Sequence, residues 1–179
     1  MAQTLQDLPL QSYNAFDSDV FESIKQIVLE NKENLKETLS AYLDEVSPVL
    51  TKRAFLDDDY SYSRHVLGKC PETGIEVMIG RWNDRQTSSI HGHPEYVFYK
   101  VLKGEMLMDF YTYDRQQNSL AWSHEQGLAT GECVDSWGKE DRFDNMIHKV
   151  TAQDECLSLH VFVGDPLRGA VYDESKIAS

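Results

Sequence analysis

Between residues 60 and 163 the chain falls into eight short apolar runs, at 61–67, 74–82, 96–102, 105–113, 119–124, 131–136, 146–151 and 156–163. Gly, Asp, Asn and Ser separate them. Short runs rich in Val, Ile, Tyr, Phe and Trp, recurring with turn residues between, predict an all-β sandwich or barrel. The connection at Gly104 is tight, since 96–102 leads almost directly into 105–113, and glycine is the residue that turns such a corner most readily. With 179 residues, 41% of them hydrophobic, the chain is long enough to bury a substantial core. No repeat, low-complexity tract or linker divides it. The expected organisation is one domain over 1–179: an irregular arm at 1–16, a helical cap at 17–48, the barrel at 60–163 and a tail at 164–179. The end of that tail is polar and expected to be loose.

Two helices precede the strands. Asp17 or Ser18 is a candidate cap for the first, which carries Phe21, Ile24, Ile27 and Val28 on one stripe. The second, over 33–46, aligns Leu35, Leu39, Tyr42 or Leu43, and Val46, and Pro48 is expected to stop it. Neither carries chemistry. Their apolar stripes read as a cap seeking a partner surface.

Thirty acidic against 17 basic residues give a formal charge of −13. Such a chain is repelled by nucleic-acid phosphates and by anionic membrane surfaces, so neither is an expected partner. No apolar run approaches the roughly 20 residues that span a bilayer. The opening MAQTLQDLPLQSYNAFDSD lacks the basic and apolar regions of a signal peptide. Three cysteines, Cys70, Cys133 and Cys156, are odd in number and form no CxxC, which suits reduced thiols and a cytoplasmic location.

Chemistry concentrates in TSSIHGHPEYVFYKVLKG, residues 87–104. Residues two apart on an extended strand share a face, so His91 and His93 present two imidazoles side by side. His148, in FDNMIHKV, lies on a distant strand that a barrel can bring opposite. Three imidazoles with open positions remaining describe a catalytic metal site rather than a structural one, although zinc also accepts such a set. His160, in CLSLHVF, shares a face with Ser158 and Phe162. Its spacing fits a supporting hydrogen-bonding group, a fourth ligand or a core residue. His65 and His124 sit at edges and read as surface residues. Arg64, between Tyr62 and the next strand residues, has two readings. It is either a clamp for a substrate carboxylate or a rim arginine paired with the acidic residues 57–59.

The segments YSRHVL, IGRWNDRQTSSIHGH, YKVLKGEM, IHKV and LSLHVF, in that order, resemble the cysteine dioxygenase family of the cupin superfamily. They cover most of residues 60–163, and the two helices fit the same layout. The resemblance implies a cupin-type double-stranded β-helix, or jelly roll, with N-terminal helices packed on it. It implies an oxidoreductase of cysteine metabolism with one Fe2+ per chain and O2 as co-substrate, turning a small thiol into its sulfinic acid. It implies iron ligands His91, His93 and His148, a carboxylate-binding Arg64 with Tyr62 beside it, Trp82 in the pocket wall, and Ser158 and His160 as two members of a Ser-His-Tyr relay. Thiolate and amine of cysteine would chelate the metal while Arg64 holds the carboxylate. A monomer or weak homo-oligomer is the expected state.

Three departures from that pattern stand out. The relay tyrosine is replaced by Phe162, leaving this position in the substrate pocket without a hydroxyl. The cysteine that some members crosslink to that tyrosine is Val97, so no crosslink can form. The segment from His93 to Gly104 is one residue shorter and carries Glu95, read as a rim carboxylate or as a group approaching the metal. These changes keep two alternatives open: a cupin metalloenzyme with another metal and substrate, and a non-enzymatic small-molecule-binding cupin.

Overall fold

The computed structural model describes residues 10–52 and 62–177, with side chains for 15–52 and 63–177. Helices α1 (Leu10–Glu30) and α2 (Leu35–Leu50) are joined through a 3₁₀ turn at Lys32–Asn34. Ten strands follow among the described residues: β1 (Tyr62–Cys70), β2 (Ile75–Trp82), β3 (Ile90–His93), β4 (Tyr96–Lys103), β5 (Glu105–Asp114), β6 (Ser119–Ala129), β7 (Cys133–Trp137), β8 (Asn145–Ala152), β9 (Cys156–Val163) and β10 (Val171–Tyr172). They form two five-stranded antiparallel sheets, ordered β1-β2-β9-β4-β7 and β10-β3-β8-β5-β6. The protein is mainly β, a jelly roll with two helices at its N-terminal end, as the sequence leads one to expect. No helix among the described residues is long and apolar enough to cross a membrane.

The first sheet is covered on both faces, which explains why β2 and β4 are buried along almost their whole length rather than at every second residue. Val77, Ile79, Phe98 and Val161 turn outward into one core with Ile24, Leu39 and Leu43 of the helices. Met78, Val97, Tyr99, Val101 and Phe162 turn inward to meet Met106, Met108 and Val150 of the second sheet. Each fully buried leucine of the helical stripe contributes about 2 kcal/mol. Lys100 also faces the helices and is almost wholly buried. Its ammonium donates to the Ser40 hydroxyl at 2.8 Å and pairs with Asp44 at 2.8 Å, fastening α2 to β4.

Several local expectations are corrected. The first helix begins at Leu10, not after a cap at residue 17, so 10–16 are not an irregular arm. Asp17 is not a cap; it is buried within α1 and lies 3.0 Å from His65 Nε2. Pro48 does not stop α2 but lies inside its last turn. Proline lacks the amide that would bond the Asp44 carbonyl; the Ser47 hydroxyl donates to that carbonyl instead, at 3.4 Å, and the turn carries Leu50 into the core. The tail up to Ile177 is tied to the second sheet: β10 pairs with β3, Tyr172 is buried, and Ile177 bridges to Leu120. Its last two residues lie outside the described residues, as do 1–9 and 57–59. Gly104 turns with φ of 82°, as its position requires.

Candidate metal centre

His91 and His93 stand on β3, and β8 runs directly beside it in the same sheet, not across the barrel as expected. His91 pairs with His148, but the register then slips, so His93 faces Asn145. Such a bulge re-aims side chains locally. Here it carries Met146 at φ of 46°, a conformation rare outside glycine. Buried Asn145 pins the slip: it accepts from the Ser136 hydroxyl at 2.8 Å and donates to the Ser136 carbonyl at 2.9 Å. Gly92 between the histidines is required, because a Cβ there would lie 2.7 Å from Asp144 Cα.

The three imidazoles form a nearly equilateral triangle. Ring centroids are separated by 4.7 Å for His91 and His93, 4.8 Å for His91 and His148, and 4.8 Å for His93 and His148. One ligand atom from each falls within 4.8 Å of the others. His91 Nδ1 donates to the Ser89 carbonyl at 2.9 Å, which leaves its Nε2 lone pair available. Burial, then neighbouring imidazoles, holds His93 and His148 well below the ordinary histidine range. Burial also lowers His91, with Arg64 adding to the effect. Three neutral nitrogen donors aimed at one point, with no carboxylate among the grouped residues, fit a divalent transition metal.

A cavity of about 330 Å³ opens over His91 and His93, with His148 wholly buried behind them. Arg64 lines its mouth and is exposed there rather than buried inside. Trp82 and Phe162 form walls, and Phe162 stacks on His93 with centroids 5.8 Å apart. The Trp82 indole donates to the Ser158 hydroxyl at 2.9 Å, and that hydroxyl is hydrogen-bonded to His160 Nε2 at 2.6 Å. All three side chains are buried, so the chain of bonds holds the His160 imidazole in one orientation. Burial, then Arg64, keeps His160 neutral. Val97 lies directly across from Phe162 on the neighbouring strand. Tyr62 pairs with Trp82 through the backbone; its side chain is outside the described ones.

Glu95 does not join the histidine group, and its side chain is half-buried. His124 is exposed, as expected, and stacks on Phe110. His65 is only half-exposed because Asp17 holds it. All three cysteines are free thiols; burial pushes Cys156 up to about 12, which makes it unreactive. Two features escaped sequence reasoning. Leu167 and Val171 from the tail form an apolar lip on the cavity. Tyr99 enters the site as well, its hydroxyl 3.4 Å from His93 Nε2; strict alternation from Val97 was the available signal.

No protein-family model matches the chain, and no curated protein matches it in sequence. Solved structures do. A cupin superfamily protein from Desulfitobacterium hafniense is 12% identical over 63% of this chain and 84% of its own, with a TM-score of 0.46. A cupin-2 domain protein from Rhodospirillum rubrum is 13% identical over 69% of this chain and 76% of its own, with a TM-score of 0.47. Oxalate oxidase in complex with the substrate analogue glycolate is 18% identical over 65% of this chain and 58% of its own, with a TM-score of 0.47. The jelly-roll assignment stands on the strand order itself. What the site offers chemically is a three-histidine donor set under a cavity whose mouth carries a guanidinium.

Proposed function

We propose that this protein is an iron(II)-dependent thiol dioxygenase acting on L-cysteine or a related carboxylate-bearing thiol. The observation that carries the reading is the pairing of the three-histidine triangle with Arg64 over one cavity. Among the described residues lining that cavity there is no Asp, Glu or Lys, in a chain whose formal charge is −13. A guanidinium at the mouth and a divalent ion held by the three imidazoles suit an anionic substrate.

When bound by His91, His93 and His148, iron(II) supplies the redox chemistry and the positions at which thiolate sulfur and O2 meet. Neutral imidazoles leave the ion its full charge, which favours a soft thiolate. Arg64 holds the carboxylate at the mouth, so the sulfur end points inward and the encounter becomes a positioned one. Met78, Trp82 and Phe162 exclude water from the inner cavity. Trp82, through Ser158, holds the neutral His160 imidazole in one orientation within the wall. The reaction balances without an outside reductant: sulfur is oxidised, O2 is reduced, and both oxygen atoms end in the sulfinate.

The test is an aerobic panel of cysteine, mercaptosuccinate, mercaptopropionate and cysteamine on iron-loaded protein, read by mass spectrometry. A product heavier by two oxygen atoms from a carboxylate-bearing thiol is expected. No thiol product from any of them would end the reading, and a preference for zinc, nickel or manganese over iron would favour a different cupin reaction.

A further inference from the structure

We infer that the phenolic oxygen of Tyr99 is a fourth protein donor to the metal held by His91, His93 and His148. This rests on the metal centre argued above. Along β4, Val97, Tyr99 and Val101 share the inward face, and of these only Tyr99 carries a donor atom. Its ring is set among imidazoles: centroids lie 4.1 Å from His160, 5.3 Å from His148 and 5.6 Å from His93. Tyr99 is nearly fully buried, yet it lines the cavity.

The distances suit coordination better than hydrogen bonding. The Tyr99 oxygen stands 3.4 Å from His93 Nε2, and His148 Nε2 stands at the same 3.4 Å from that atom. Good hydrogen bonds are shorter, about 2.7–3.2 Å. Donors about 2.0–2.1 Å from one tetrahedral ion lie about 3.4 Å from one another. Charge points the same way. Three neutral ligands leave two positive charges uncompensated, and Tyr99 is the one phenol among the described residues lining the cavity, where no carboxylate competes. On binding, the O–H bond breaks, its proton passes to solvent and no electrons move. One position fewer then remains for thiolate and O2.

The experiment uses the full chain loaded anaerobically with ferrous ion, oxidised to the ferric state and read by visible absorption and resonance Raman spectroscopy. Tyr99→Phe and His148→Ala are measured beside it. The wild-type ferric protein is expected to show an intense phenolate-to-iron charge-transfer band with tyrosinate vibrations. Tyr99→Phe is expected to lose both and to bind iron about tenfold more weakly or worse. A ferric wild-type protein that binds iron without that band overturns the assignment of Tyr99 and leaves the histidine site standing. A Tyr99→Phe protein with the wild-type spectrum does the same. A wild-type chain that binds no iron overturns both.

Discussion

The Nε2 atoms of His93 and His148, from adjacent strands, face each other at 3.4 Å with almost no exposed surface on either residue. Both are kept neutral by burial. Two buried imidazole nitrogens in that relation make little sense as a strong mutual hydrogen bond, and ready sense as donors to one cation.

Acid should reveal that burial in the metal-free protein. Unfolded histidines take up protons near pH 6.5. His93, His148 and His160 resist protonation to lower pH in the folded chain, chiefly through burial. The unfolded state therefore binds more protons as pH falls below about 6.5, and the stability present above that value is lost on acidification. Thermal melts of the metal-free chain at about pH 7.5 and 5.5 are expected to differ by at least about 3 °C, the acidic one lower. Equal midpoints would show that these rings are not desolvated in solution.

Arg64→Ala isolates the carboxylate clamp. A charge-assisted contact at an exposed mouth is worth about 1.5 kcal/mol, so KM for carboxylate-bearing thiols should rise about tenfold. Cysteamine, which lacks the carboxylate, should be unaffected. Steady-state kinetics on the two substrate classes decides the matter, and equal losses would remove Arg64 from substrate binding.

Phe162→Tyr restores a hydroxyl to a wall that stacks on His93 and lines the cavity. If Tyr99 already supplies the phenolic oxygen of the site, kcat should change less than about threefold, about 0.6 kcal/mol on the barrier. A rise of tenfold or more would mean that the missing hydroxyl at residue 162 limits turnover.

Much of this site was legible before any fold was in hand. His91, His93 and His148 announce themselves by residue type and by strand periodicity, Ser158 and His160 share a face by spacing, and Trp82 was marked only by the family resemblance. What the linear pattern does not encode is pairing. The slip opposite Met146 is held by Asn145 against Ser136, a contact between two strands that nothing in the linear pattern marks. Tyr99 was hidden because β4, buried on both faces, gives no polar alternation to mark its inward side. The start of α1 was missed because Asp17, a good cap by type, is recruited by His65 instead.

Lys100 offers a check on how the helices are held. Lys100→Ala removes buried packing and its bonds to Ser40, and should destabilise the fold by about 2 kcal/mol in urea unfolding. Its ionic partner Asp44 is exposed and loses little by going unpaired. Lys100→Met should therefore recover more than half of that loss. A methionine variant as unstable as the alanine one would show that the charge itself fastens α2 to β4.

The most direct measurement is an anaerobic ferrous-ion titration of the wild-type chain and of His148→Ala, with metal content read by elemental analysis and folding by circular dichroism. One tightly held ion per wild-type chain, and none in a folded His148→Ala protein, is the expected result. A wild-type chain that retains no metal, or a variant that binds it equally well, would contradict a centre built on these three imidazoles.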